Sequence, residues 1–154
     1  MRIWTDKNSI LEFSGEYRFL SNFYPVHIED KNPYGNETLP SLTYPSVEHA
    51  YQASKSPSLA HRLIIARLHT PGEAKRYGRK LPITESWKEQ RVDVMEHLLR
   101  IKFAKGGELA QKLTDTWPKE LVEGNTHGDS FWGMTREEYK SVLTGINMLG
   151  RLLM

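Results

Sequence analysis

The sequence predicts an α+β fold: a mostly helical single domain over residues 1–154 with a few short strands. Three observations carry that expectation. Short apolar or aromatic runs broken by turn residues cluster near the N-terminus. Helix-start signals then succeed one another almost to the end of the chain. Strands first and helices after is an α+β order, not the alternation of a βαβ protein. A chain of 154 residues fits one domain, and a domain of this size buries about 68–70% of its unfolded surface. No repeat, low-complexity segment or long linker divides it.

Taken in order, Ile3–Thr5, Ile10–Phe13 and Phe23–Ile28 read as strands. Between them Gly15 to Pro25 holds four aromatics with Arg18 and Asn22. A core reading takes Phe19, Leu20 and Phe23 and leaves Arg18 and Asn22 unexplained. Glu29 to Ser41, with two prolines and a glycine, is a surface loop or open hairpin tip, and Leu42–Tyr44 a strand returning from it. Ser46 caps a helix from Val47 through Lys55. Ser56-Pro57 opens a second helix to about Leu68. Thr70-Pro71-Gly72-Glu73 is a capping box for a third, ending near Lys80. A long helix follows from about Glu85 to Lys105, with Val94, Met95, Leu98 and Ile101 at helical spacing and Gly106 as its stop. Glu108–Trp117 is a shorter helix closed by Pro118, and Glu120–Glu123 a short strand. A loop with three glycines, Gly124 to Gly133, comes next. Thr135 to Glu138 forms another capping box, so a final helix is expected to bury Tyr139, Val142, Leu143, Ile146, Leu149 and Leu153.

Composition narrows the chemistry. The chain has no cysteine, which excludes disulfides, thiolate metal sites and a cysteine nucleophile. No apolar run approaches the ~20 residues that span a bilayer, and the first residues lack a signal-peptide core, so a cytoplasmic protein without a membrane partner is expected. The net charge of +2 is uneven: Lys55 to Lys105 carries 12 Lys/Arg against 5 Asp/Glu, a local +7, and the remainder −5. A basic half suits phosphate, although exposed helix faces are often rich in Lys and Arg. None of the six histidines falls in H-E-x-x-H or H-x-H order, so no required metal is expected and His49 reads as a hydrogen-bonding residue. The loop after Glu123 matches neither phosphate-loop motif, and no nucleophile elbow is present.

The stretch from Tyr44 to Lys55 holds the candidate chemistry. At 100° per residue Glu48, Gln52 and Lys55 fall on one helix face, with Tyr51 at its border. Glu48 and Lys55 are seven residues apart, a rise of roughly 10 Å, which suits a sugar held between carboxylate and amine. The plainer alternative is a helix-capping Glu48 and a solvated Lys55. Asp129 is either a second carboxylate or turn chemistry. Trp132 either fills the core or stacks on a flat ligand. Lys75, Arg76, Arg79 and Lys80 either complement a helix C-terminus or clamp phosphate.

Ordered blocks across nearly the whole chain resemble the NADAR (YbiA-like) N-glycosidase family. Tyr17–Pro25 is similar to its F-L-S-N-F-Y-P block and Tyr44–Lys55 to its Y-x-S-x-E-H-x-Y-Q-A-x-K block. Ala74–Arg79, then Trp87, Arg91 and Met95, resemble its A-K-x-x-G-R and W-x-x-x-R-x-x-x-M blocks. Leu121–Glu123, Asp129 to Gly133 and Gly145 to Met154 resemble its closing blocks. Two positions depart: the Asn32–Ser41 loop looks family-variable, and Ala50 stands where an aromatic is common.

The resemblance implies a YbiA-like fold and cleavage of a ribose C1′–N bond. It implies one of two substrate branches: ADP-ribosylated guanine, or phosphorylated early riboflavin intermediates. It also implies a Schiff-base lysine, carried here to Lys55. The expected catalytic residues are Glu48, Lys55 and Asp129. Those expected to bind substrate are Arg18, Asn22, Phe23, Tyr51, Gln52, Lys75, Arg79, Trp87 and Trp132. No cofactor is expected. The expected partner is a small-molecule or nucleic-acid-linked ADP-ribosyl substrate, with DNA or RNA contact in the second case; the oligomeric state is not legible. A non-catalytic ADP-ribose-binding module is the reading from another class. An intact Glu48 and Lys55 argue against it, since binding alone needs neither.

Overall fold

The structure, a computed structural model, describes residues 5–30, 40–135 and 143–154. In chain order its elements are β1 (Thr5–Asp6), β2 (Ser9–Ile10), a 3-10 helix (Gly15–Leu20), β3 (Ile28–Asp30), β4 (Leu42–Tyr44), α1 (Val47–Ala53), α2 (Leu59–Arg67), α3 (Pro71–Arg79), α4 (Glu85–Lys102), α5 (Glu108–Thr114), β5 (Glu120–Leu121), β6 (Gly124–Asn125), β7 (Met134–Thr135) and α6 (Met148–Leu153). This is the expected α+β composition, helical with a few very short strands. The chain forms two compact units, Met1–Ser21 with Gly106–Met154, and Asn22–Lys105. No helix among the described residues is long and apolar enough to cross a membrane.

In the first unit β2 pairs antiparallel with β1 and parallel with β5, while β6 and β7 pair parallel. Its buried residues include Ile10, Phe13, Phe19, Leu20, Leu121, Val122, Leu149 and Leu153. The expected final helix does not run unbroken through the described residues. The turn is limited to Met148–Leu153, Tyr139 and Val142 lie outside the described residues, and Ile146 is exposed. The backbone explains the difference. Gly145 has φ +146° and Asn147 φ +55°, neither of them helical. The N–H groups of Ile146, Asn147, Met148 and Leu149 donate to the carbonyls of Ser130, Gly133, Phe131 and Trp132. Residues 146–149 therefore pair with the glycine-rich loop. Thr135, read from sequence as a helix cap, is in β7 and bridges to Thr144.

In the second unit β3 and β4 pair antiparallel, Ile28 opposite Tyr44, as an open hairpin requires. The residues between them, 31–39, lie outside the described ones. Phe23–Ile28 is not a strand; regular pairing begins at Ile28. The helices start and stop close to their sequence signals. The Thr70 hydroxyl accepts from Glu73 N–H at 3.2 Å and the Glu73 carboxylate accepts from Thr70 N–H at 3.3 Å, a complete capping box. The second helix is capped by Ser58, not Ser56, and α4 ends at Lys102, ahead of Gly106 at φ +86°. α1 packs against α2, α3 and α4, while α2 lies on β4 and α4 on β3.

Candidate active site

α1 is a seven-residue helix with all seven side chains buried. So short a helix is marginal by itself in water, and tertiary contacts hold it. Ser46 Oγ accepts from His49 N–H at 3.2 Å and lies 2.7 Å from His49 Nδ1. The other ring nitrogen, Nε2, is 3.0 Å from the Leu68 carbonyl. A carbonyl only accepts, so Nε2 carries the proton and Nδ1 accepts from the Ser46 hydroxyl. Burial holds the His49 pKa below the ordinary histidine value, opposed by the Leu68 hydrogen bond and by Glu73. His49 thus fastens α1 to the end of α2. At the helix start, Glu48 N–H donates to the Asn22 carbonyl at 3.1 Å.

The polar side chains on the common face of α1 are buried. Glu48 is 8% exposed and Gln52 3%. Gln52 Nε2 donates to Glu48 Oε1 at 2.8 Å, which fixes the carboxylate by a charge-assisted bond. Gln52 fits there because α3 presents Gly78: a Cβ on Gly78 would lie 1.9 Å from Gln52 Oε1 and 3.0 Å from its Cβ. Lys55 departs from the expectation that it shares Glu48's helix. α1 ends at Ala53, and Lys55 lies in the turn beyond, its N–H bonded to the Gln52 carbonyl at 3.2 Å. The amine is half-buried, 5.7 Å from the centre of the Tyr51 ring. Burial lowers its pKa most; Glu48 opposes the shift, and Arg79 and Lys75 reinforce it. Glu48, Gln52, Tyr51, Lys55, Lys75 and Arg79 are therefore brought into one electrostatic neighbourhood.

Tyr51 and Trp87 pack at 5.3 Å between ring centres, tilted by 54°. Trp87 is buried, so it backs Tyr51 from α4. Asn22 is buried, donates weakly to Met95 Sδ at 3.5 Å, and its Oδ1 has no protein partner. Phe23 is 39% exposed, which overturns the core reading of that residue. On α3, Lys75 is half-buried and Arg79 exposed.

Arg18, Asp129 and Trp132 belong to the first unit. Arg18 is exposed in the last turn of the 3-10 helix. Asp129 Oδ1 accepts from the N–H groups of Phe131 at 3.2 Å and Trp132 at 3.0 Å, so this carboxylate shapes its own loop. Asn125 ties the same loop, donating to the Asp129 carbonyl at 2.8 Å and accepting from its N–H at 3.0 Å. Trp132 is half-buried, edge-on to Phe131 at 4.9 Å.

Two residues that support these elements were not named as site residues from sequence. Gly78 has a legible signal, since a glycine inside a helix costs about 1 kcal/mol against alanine and so suggests a packing reason. Arg62, buried on α2, has none; it is one arginine in a basic half. Among the described residues no three His, Asp or Glu side chains gather as a metal site would require.

Comparison with known proteins follows the same lines. The profile of one family, described as NADAR domain, matches residues 10–154. N-glycosidase YbiA of Escherichia coli K12 is 33% identical over 155 aligned positions, covering 96% of this chain and 86% of that protein. A riboflavin biosynthesis protein of Vibrio vulnificus is 34% identical over 138 positions, covering 88% of this chain; the chain spans only 34% of that protein's length. The NMR structure of E. coli YbiA is similar with a TM-score of 0.73 and 31% identity, over 97% of this chain and 83% of that one.

Proposed function

The chain belongs to the NADAR domain family, and on that premise we propose that it is an N-glycosidase that removes ADP-ribose from ADP-ribosylated guanine. The observation that carries the reading is the electrostatic neighbourhood at the end of α1. There a carboxylate fixed by Gln52 acts electrostatically on a lysine whose pKa is lowered by burial and by Arg79 and Lys75.

Breaking a C1′–N bond builds positive charge on the ribose, and the Glu48 carboxylate, held by Gln52, stabilises that charge. Lys55 attacks as a neutral amine. Its lone pair forms the bond to C1′ as the C1′–N bond breaks, and the departing base takes a proton. The C1′–O4′ bond then opens, O4′ is protonated, and an imine joins the sugar to Lys55. Water adds to the imine, releases the sugar and restores the amine. Tyr51, backed by Trp87, and the exposed Phe23 offer apolar faces to the base, and Asn22 an unused acceptor for a sugar hydroxyl. Lys75 and Arg79 suit a pyrophosphate. Arg18 and Trp132 are proposed as further substrate contacts, and Asp129 as a second carboxylate. A guanine carried in DNA or RNA suits the +7 stretch from Lys55 to Lys105, and a cytoplasmic location goes with this reading.

The second reading keeps the chemistry and changes the substrate to a phosphorylated riboflavin intermediate. It is favoured by the similarity to the Vibrio protein, which is named for riboflavin biosynthesis. Incubation with ADP-ribosylated guanosine and with the riboflavin intermediates, followed by mass detection of sugar and base, separates the two. Release from the first substrate alone supports the leading reading, and release from the second alone replaces it. Cleavage of neither at high enzyme load refutes both.

A further inference from the structure

We propose that Arg62 is a positioning residue for Lys55: its buried guanidinium holds the Ser56 carbonyl, and so fixes the turn that carries the amine. The proposal rests on the reading of Lys55 as nucleophile given above and assigns a task to a residue outside that site.

Lys55 is beyond the last residue of α1, so helical hydrogen bonding does not set its place. The turn from Ser54 to Ser58 is instead fastened residue by residue. Ser54 Oγ donates to the Ala50 carbonyl at 2.8 Å, Lys55 N–H to Gln52 at 3.2 Å and Ser56 N–H to Ala53 at 3.2 Å. On the far side, Ser58 N–H donates to Ser56 Oγ at 3.1 Å. The one peptide carbonyl that directly follows Lys55's own is that of Ser56. It accepts from Arg62 Nε at 2.6 Å, a short charge-assisted bond reaching back from the first turn of α2. The Arg62 cation also acts on the Tyr44 phenol, opposing the rise that burial gives its pKa, so the guanidinium lies near the end of β4, the strand that leads into α1.

The surroundings of Arg62 point to a task other than ion pairing. It is 5% exposed, and among the described residues no carboxylate pairs with it. A buried cation without a counter-ion is expensive to keep. Tyr44 does not supply the missing charge, since burial above all pushes its pKa up to about 12 and the phenol stays neutral. Asp30, the nearby carboxylate felt by Tyr44, pairs with His97 at 3.2 Å. Nor does Arg62 act on Lys55 through its field: the cations that lower the Lys55 pKa are Arg79 and Lys75. What remains is geometry: the Nε–H of a rigid, planar guanidinium holds the Ser56 carbonyl in a fixed direction.

The test compares the parent with Arg62→Lys and Tyr44→Phe in the full chain, on whichever substrate the parent cleaves. The readouts are kcat and KM per folded molecule, and the rate at which borohydride fixes sugar to Lys55. Arg62→Lys keeps the charge but not the fork. A displacement of the amine by about 1 Å should lower kcat and adduct formation together by roughly 10–100-fold, with KM changed by less than about threefold because the groups that bind substrate are untouched. Tyr44→Phe, which leaves the Ser56 bond in place, should lower both by a smaller factor, and it serves if Arg62→Lys does not fold. A parental kcat in the folded variants, with only the melting temperature reduced, overturns the proposal and makes Arg62 a structural residue. A parent that cleaves substrate but yields no adduct at Lys55 overturns the nucleophile assignment, and the proposal with it.

Discussion

The contact between Gly78 and Gln52 makes Gly78→Ala an informative perturbation. The new Cβ would meet Gln52 Oε1 at 1.9 Å, Cδ at 2.6 Å and Cβ at 3.0 Å. Turning the amide end aside relieves the first two contacts but not the third, so α1 and α3 must also part by a few tenths of an ångström. Overpacking of this kind typically costs about 1–3 kcal/mol. Displacing Gln52 breaks its bond to the Glu48 carboxylate, worth about 1.5–3 kcal/mol for a charged partner. Alanine returns about 1 kcal/mol of helix propensity. The net expectation is a loss of roughly 1.5–5 kcal/mol, read as a lower urea midpoint at constant slope. Turnover of the folded fraction should fall by on the order of 10²-fold, because Glu48 loses the group that aims it. Repeating the substitution in a Gln52→Ala background closes a double-mutant cycle. With Oε1 and Cδ gone and only the Cβ contact left, Gly78→Ala should cost clearly less there than in the parent. Equal destabilisation in both backgrounds, or full turnover in the single variant, would refute the account of why α3 carries glycine at this point.

Four further outcomes are expected. Glu48→Gln should fold and bind substrate yet turn over about 10²–10³-fold more slowly; near-parental turnover would leave Glu48 a helix-start residue. Borohydride during turnover should trap sugar on Lys55, located by peptide mass, and both Lys55→Ala and Lys55→Arg should abolish the adduct, since a guanidinium stays protonated; trapping at Lys75 would move the nucleophile, and normal turnover without trapping would favour direct attack by water. Because the Lys55 pKa is lowered by burial and by its cationic neighbours, activity should rise with pH below the ordinary lysine range, and Arg79→Gln should move that rise to higher pH; an unmoved limb would dissociate it from Lys55. His49 is held below its ordinary value, so its contribution to stability is present above about pH 6.5 and lost as pH falls through the folded value; the urea midpoint of His49→Asn should vary less between pH 7.5 and 5.5 than the parent's, and equal variation would place the dependence elsewhere.

Much of the second unit was legible because its signals are local. Thr70 and Glu73 announce a capping box by spacing alone, and both halves of it form. Ser46 caps α1 as its place before Val47 suggests. What was not legible depends on the tertiary setting. Periodicity placed Glu48 and Gln52 on a common face but did not show what packs over it; α3 does. The apolar spacing leading to Leu153 suggests one continuous helix, and only the conformations of Gly145 and Asn147 reveal the break. Asp129 shows the same limit. Its sequence setting leaves turn and catalysis equally open, and the turn role emerges only from the two N–H groups it accepts.

The complete burial of α1 has a consequence for how the chain tolerates change. A helix lying on a protein surface varies freely on its outer side, so its record of permitted substitutions has gaps every three or four positions. α1 has no outer side: Val47 through Ala53 each meet other protein. A saturation library should therefore find an unbroken block of intolerant positions there, without helical rhythm, whether or not a given side chain takes part in the reaction. Such a block also accounts for the form of the sequence signal. Seven adjacent constrained residues make a contiguous word, and a short contiguous word is readable from a single chain where a scattered pattern is not.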